Sequence, residues 1–133
     1  MLDLIIKNGS CYIDKDLKDH DIAIKDGKII KIGKIDGEAK EIFDAKELTV
    51  LPGCIDTQTH FREPGSTDTE NLHSGSRAAI VGGITSVFEM PNTNPPTSNK
   101  IEFQKKLDLA KDRMYCNYAF YFGATPNLSL IHI

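Results

Sequence analysis

The residues best suited to chemistry lie in one run, Asp56-Thr57-Gln58-Thr59-His60-Phe61-Arg62-Glu63-Pro64-Gly65, directly after an apolar stretch that ends near Ile55. On a β-strand, residues two apart point to the same face. Gln58 and His60 would then project together, with Asp56 on that face as well. Two ligands so placed can hold one metal ion from one side. His60 would offer an imidazole nitrogen, whereas Gln58 has only an amide oxygen, a poor zinc ligand. Asp56 would be a further ligand or a partner that orients one. The alternative for His60 is a buried histidine bonded to a backbone carbonyl. Arg62 suits bidentate binding of a carboxylate, and its alternative is an ordinary surface ion pair.

A second polar group stands at Met90-Pro91-Asn92-Thr93, after another apolar run. Asn92 both donates and accepts hydrogen bonds, so at a strand end it could bind the polar part of a substrate. Its alternative is an Asx-turn before Pro95. The other histidines carry no such expectation. His20 lies in a charged loop, His73 within a helix away from the strand ends, and His132 in the apolar tail from Leu128 to Ile133. Cys11, Cys54 and Cys116 are odd in number and far apart, which suggests reduced thiols and a cytoplasmic setting. None forms a C-x-x-C pair, and each is expected to be a small buried residue.

The elements that must position these groups change character along the chain. The first fifty residues read as β. Leu4-Ile5-Ile6 precedes an expected turn at Asn8-Gly9. Asp21-Ile22-Ala23-Ile24-Lys25 and Lys28-Ile29-Ile30-Lys31-Ile32 flank Asp26-Gly27, a hairpin signal because that pair tolerates positive φ. A further strand is expected at Leu48–Leu51. From Pro52-Gly53 the pattern becomes strand, loop and helix, repeated. Thr67-x-x-Glu70 suggests a capping box for a helix through Leu72, Ala79 and Ile80 that stops at Gly82-Gly83. A strand follows over Thr85–Met90. A second helix is expected from near Ser98, with Phe103, Leu107, Ala110 and Met114 on one face. A third strand is expected over Tyr118–Phe122. Strands alternating with helices imply βαβ units and a parallel sheet, and in a parallel barrel catalytic groups sit at the carboxyl ends of strands.

Bulk properties narrow the class. The 133 residues are 40% hydrophobic and 26% charged, close to an ordinary soluble protein. A formal net charge of −3 argues against a nucleic-acid partner, which calls for a basic surface. No window of about 18 apolar residues exists for a membrane span, and the N-terminus does not read as a signal peptide.

Taken together, the chain resembles the dihydroorotase family of the amidohydrolase superfamily, the cyclic amidohydrolases. The resemblance rests on Leu51-Pro52-Gly53, the run from Asp56 through His60-Phe61-Arg62-Glu63-Pro64-Gly65, Gly75-Ser76-Arg77-Ala78-Ala79, Gly82-Gly83-Ile84-Thr85 and Met90-Pro91-Asn92-Thr93-Asn94-Pro95. It extends from about Leu4 to Asn127, with the order and spacing of the family's N-terminal third. The resemblance implies an α/β fold of two parts: residues 1–51 as part of a small β-sandwich, and residues 52–133 as the first three βα units of an incomplete TIM-like barrel. It implies reversible hydrolysis of the cyclic amide of dihydroorotate to N-carbamoyl-L-aspartate, in pyrimidine biosynthesis. One or two zinc ions would activate water and polarise the amide carbonyl. The family's substrate-binding residues map onto Arg62 and Asn92, and a metal histidine onto His60. Gln58 stands where the family usually has the first histidine of His-x-His. The family's bridging ligand, later histidines and catalytic Asp would lie beyond residue 133, so no catalytic residue is expected within this chain.

Further expectations follow. The partner is a small-molecule substrate, with neither nucleic acid nor membrane, and the family is often homo-oligomeric or associated with a pyrimidine-pathway enzyme. Alone, the 133 residues are expected to fold poorly, because three strands leave an unpaired edge, and to be inactive, because one histidine and one aspartate are too few to fix zinc with an open position. Two alternative readings stand beside the first. One is a non-catalytic dihydroorotase-like scaffold marked by Gln58. The other is an allantoinase- or hydantoinase-like cyclic amidohydrolase.

Overall fold

The computed structural model describes residues 1–126. The tail from Leu128, with His132, lies outside the described residues. The chain divides into two compact units between Pro52 and Gly53.

The first unit is a five-stranded sheet built on one long strand, β1 (Leu2–Ile13). β1 pairs antiparallel with β2 (Asp16–Lys25), which in turn pairs with β3 (Lys28–Gly33). On its other edge β1 runs parallel to β4 (Ala39–Asp44) and then to β5 (Thr49–Val50). The hairpin at Asp26-Gly27 forms as expected, with φ of 51° and 71°, the pair of positive values that a type I′ turn requires. The expected turn at Asn8-Gly9 does not form. Asn8 takes φ of 61° within a continuous strand, and the register shifts between Ile6 and Gly9, as a β-bulge does. The bulge is held by Asp21 Oδ1, which accepts from the Asn8 N–H at 3.1 Å. A Cβ at Gly9 would lie 2.6 Å from Val50 Cγ2, so only glycine lets β5 close on β1. Ile5, Ala23 and Ile35 form the buried core, with Leu2 and Ala39 packed against it.

The second unit carries a parallel three-stranded sheet in the order β6 (Cys54–Thr59), β7 (Ile84–Glu89), β8 (Asn117–Phe120). Helix α1 (Leu72–Val81) joins β6 to β7, and α2 (Lys100–Ala110) joins β7 to β8. This is the alternation of strands and helices that the sequence predicts, and it makes the chain a mixed α/β protein. Leu72 from α1, Val87 from β7 and Ala110 from α2 bury with Phe61 and Cys116 in one core. The opposite face of the sheet leaves Ile55 and Phe88 exposed.

Three local expectations are corrected. The cap of α1 is Asn71, not Thr67. Asn71 Oδ1 accepts from the Ser74 N–H at 2.8 Å and Ser74 Oγ accepts from the Asn71 N–H at 3.1 Å, so the reciprocal capping box sits four residues later. Thr67-x-x-Glu70 instead lies in a turn closed by Thr69 N–H on Ser66 O. Helix α2 begins near Ser98 as expected, after its cap Asn99, whose Oδ1 accepts from the Glu102 N–H. Met114 falls beyond its end, and its fully buried positions are Lys106 and Ala110. Finally, Cys54 is exposed whereas Cys11 and Cys116 are buried, because Cys54 opens an edge strand.

Candidate functional site

The groups singled out above lie at the carboxyl ends of β6 and β7, in the loops at 60–66 and 90–97. The two strand ends are tied together by the Met90 N–H donating to Thr59 O at 2.9 Å, and β8 joins through the Tyr121 N–H donating to Glu89 O at 2.9 Å.

The strict alternation expected over Asp56, Gln58 and His60 does not hold. The register against β7 shifts between Asp56 and Thr59. Asp56 Oδ1 accepts the Gln58 N–H at 2.9 Å, so its carboxylate serves its own strand's backbone rather than facing a ligand. Gln58 lines a depression of about 470 Å³ with Thr57, Met90 and Tyr121. His60 is exposed and bonds a side chain, not a backbone carbonyl: its Nδ1 lies 2.9 Å from Asn92 Oδ1. An amide oxygen only accepts, so Nδ1 carries the proton and Nε2 is the nitrogen left with a free lone pair. Asn92 therefore links the ends of two strands instead of closing an Asx-turn. Arg62 and Asn92 also share a smaller hollow of about 120 Å³, with Gly65 and Asn94. Among the described residues no ion pair holds the Arg62 guanidinium, so it is available to an anion. The structure thus brings His60, Asn92 and Arg62 together and leaves Gln58 and Asp56 apart from that trio.

These residues do not by themselves fit a metal ion. Among the described residues no three His, Cys, Asp or Glu converge, and an open zinc centre takes three protein ligands. His60 Nε2 is a single donor.

Two ion pairs beneath the loops are not foreseen from motif or spacing. Glu63 is buried. Its carboxylate takes a bidentate contact from Arg113, with Nη1 and Nη2 each 2.9 Å from an oxygen. Oε2 also accepts the Leu72 N–H at the start of α1. Burial pushes this carboxyl up, but Arg113 and the Leu72 N–H outweigh it and hold it below its ordinary range. The loop that presents Arg62 is thereby clamped to α1 and to the segment after α2. Gly75 completes that fit: a Cβ there would lie 2.5 Å from the Phe61 ring.

Glu89, at the end of β7, and Lys106, on α2, form the second pair, with Nζ 2.8 Å from Oε2 and both side chains almost wholly buried. Beyond Lys106, the Glu89 carboxylate, like Thr59 Oγ1, has no hydrogen-bond partner among the described residues. Burial raises the Glu89 carboxyl to about 7 against the opposing pull of Lys106. A signal for Lys106 does exist in the sequence. It lies three after Phe103 and four before Ala110, on the apolar face of its helix.

Comparison with known proteins adds an independent line. Residues 49–128 match the amidohydrolase family. Allantoinases from Escherichia coli O1:K1 / APEC and from Escherichia coli O81 (strain ED1a) are each 42% identical to the chain over 132 residues. Those matches cover 98% of this chain and 29% of each relative, so the chain spans about 29% of their length. Among solved structures, an L-hydantoinase (dihydropyrimidinase) from Arthrobacter aurescens superposes with a TM-score of 0.87 at 34% identity, over 96% of this chain and 29% of that one. A D-hydantoinase (dihydropyrimidinase) from Thermus sp. superposes with a TM-score of 0.76 at 27% identity, over 91% and 27%.

Proposed function

Since the chain belongs to the amidohydrolase family, we propose that it supplies the first strand ends of an active site that hydrolyses the amide bond of a small ring of the hydantoin or allantoin kind. The observation that carries this is the junction of His60, Asn92 and Arg62 across the ends of two adjacent parallel strands, where parallel α/β enzymes place their chemistry. The names of the relatives, allantoinase and hydantoinase, support a cyclic ureide over the dihydroorotate suggested by the motifs alone. The remaining βα units of a barrel belong to the same proposal.

In this reading Arg62 and Asn92 bind and orient. The guanidinium offers a planar fork to carbonyl oxygens or to a carboxylate on the ring. Asn92 spends its oxygen on His60 and keeps its amide hydrogens for a ring carbonyl. His60, its Nδ1 proton held by Asn92, presents Nε2 in a fixed direction. His60, Asn92 and Arg62 do not by themselves complete a site for a metal.

A second reading, dihydroorotate as substrate, is favoured by one feature: Arg62 stands free beside Asn92 in a hollow that suits a carboxylate. The deciding experiment is a substrate panel on the full-length protein: allantoin, hydantoin, a dihydropyrimidine and dihydroorotate. Ring opening of allantoin or hydantoin at a kcat/KM at least about tenfold above dihydroorotate, a difference of roughly 1.4 kcal/mol in transition-state binding, supports the main reading. The reverse order establishes the second. Turnover of none of the four refutes both.

A further inference from the structure

We propose that Lys106 is a positioning residue of this site, which holds the 91–97 loop from beneath so that Asn92 meets His60. The inference rests on the functional reading above only in taking His60 and Asn92 as site residues.

Lys106 touches the chain on both sides of Asn92. Its Nζ lies 2.8 Å from Glu89 Oε2 and 3.3 Å from Thr93 Oγ1, and 5.3 Å from the centre of the Phe120 ring, within range for a cation over an aromatic face. Glu89 and Thr93 flank Asn92 in the chain, the first at the strand end and the second immediately after it. Thr93 Oγ1 in turn donates to Pro95 O at 3.0 Å. The loop has a second, backbone anchor, where the Thr97 N–H donates to Pro91 O at 2.9 Å and Thr97 O accepts the Gly123 N–H at 2.7 Å. The backbone anchor fixes where the loop begins and closes. The Asn94 N–H also donates to Pro64 O at 3.0 Å, which ties the loop to the 60–66 loop. Lys106 holds the chain from the helix side, at Glu89 before Asn92 and at Thr93 directly after it.

Energetics favour this role over simple stabilisation. A buried ion pair is often no more stabilising than well-packed apolar residues of the same volume. Here it also leaves Glu89 Oε1 and Thr59 Oγ1 without hydrogen-bond partners among the described residues. An arrangement of that kind at the centre of an apolar helix face gains little for the fold. What it does gain is a cation with donors to spare, set between a strand end and a loop hydroxyl.

The test reads the His60 Nδ1 proton directly, in full-length protein carrying ¹⁵N-labelled histidine, with His60→Gln to assign the signal. A ligand on Nε2 leaves this proton in place, so the reading holds whatever occupies the other nitrogen. Lys106→Met keeps the volume and lets Glu89 take a proton. Thr93→Val removes only the loop contact and spares the buried pair. In folded protein, both variants are expected to speed exchange of the Nδ1 proton with water by about three- to tenfold, the worth of one net hydrogen bond, while urea unfolding midpoints stay close to wild type for Thr93→Val. A merely structural Lys106 would move the midpoint and leave the Nδ1 proton alone. Wild-type exchange in folded Lys106→Met and Thr93→Val overturns the proposal. If Lys106→Met does not fold, Thr93→Val decides alone. Faster exchange in a protein that opens none of the four rings would sink the functional reading and keep this one, and the converse result would sink this one only.

Discussion

Replacing Arg113 by methionine is expected to destabilise the second unit by an amount that depends on pH in a defined direction. Arg113 makes two contacts of 2.9 Å to a buried carboxylate. Removing one partner of a fully buried pair costs roughly 3–5 kcal/mol. The Arg113 side chain is 36% exposed, so water takes part of its place, and the cost falls to about 2 kcal/mol. Its sign with pH follows from Glu63, whose carboxyl is held below the ordinary value of 4.5. A depressed carboxyl contributes stability that is present above its unfolded value and lost as pH falls through its folded one. In Arg113→Met, burial is opposed by the Leu72 N–H alone, so the carboxyl rises and that contribution goes. The penalty is therefore full at neutral pH and fades in acid, once wild-type Glu63 also takes a proton. Urea melts of full-length wild type and Arg113→Met at neutral pH and in acid below the wild-type Glu63 transition measure it. Adding Glu63→Gln and the double variant isolates a coupling of about 1–2 kcal/mol. A penalty equal at both pH values, or singles that simply add, would refute the reasoning.

Other outcomes follow from the same geometry. Glu89→Gln should remove a pH slope: a carboxyl raised to about 7 gives stability that is complete below the unfolded 4.5 and gone above 7, about 3 kcal/mol across that window. The variant should therefore gain on wild type as pH rises from acid to neutral, as read by paired melts. Gly75→Ala should cost about 1–3 kcal/mol, because the added methyl meets the Phe61 ring, and thermal melts would show it. Arg62→Met is expected to raise KM for an acidic ring more than for a neutral one, by about tenfold or more if the guanidinium binds the carboxylate, and steady-state kinetics on the two substrates would read the split.

What could be read from the sequence was what local chemistry dictates. Asp26-Gly27 announces its hairpin because positive φ is a property of those two residues. The stop at Gly82-Gly83 is legible for a similar reason, with Gly83 at φ of 84°. Local signals also misled where two fit equally well. Thr67-x-x-Glu70 and Asn71-x-x-Ser74 both look like caps, and only packing of Leu72 into the core selects the second. Asn8-Gly9 is as good a turn as Asp26-Gly27, yet pairing with β2 on one side and β5 on the other pulls it into a bulged strand. Strand β4 was invisible because Ala39–Asp44 is mostly exposed, without the alternation that marks a half-buried strand. Arg62, Asn92 and His60 could be picked out by motif and by their place after apolar runs. Their mutual contacts could not, since the His60–Asn92 bond spans 32 positions and the Glu63–Arg113 pair spans 50. Such pairings exist only once the sheet has set its register.

Strand β1 has a consequence for the order of events during synthesis. Its residues leave the ribosome before those of β4 and β5, and Leu2 waits for Ala39 and Cys11 for Val50 before their parallel edge is occupied. The β2–β3 hairpin is available much sooner and closes the other edge. The nascent first unit therefore passes through a three-stranded stage with one open flank, whose exposed amides invite pairing with a neighbouring nascent chain. Cys11 reports on this passage, since its thiol is buried in the finished sheet. In chains halted just short of Thr49 it should react readily with maleimide, and in chains carried well past Val50 it should not. Equal labelling at both lengths would mean that the flank is covered by other means.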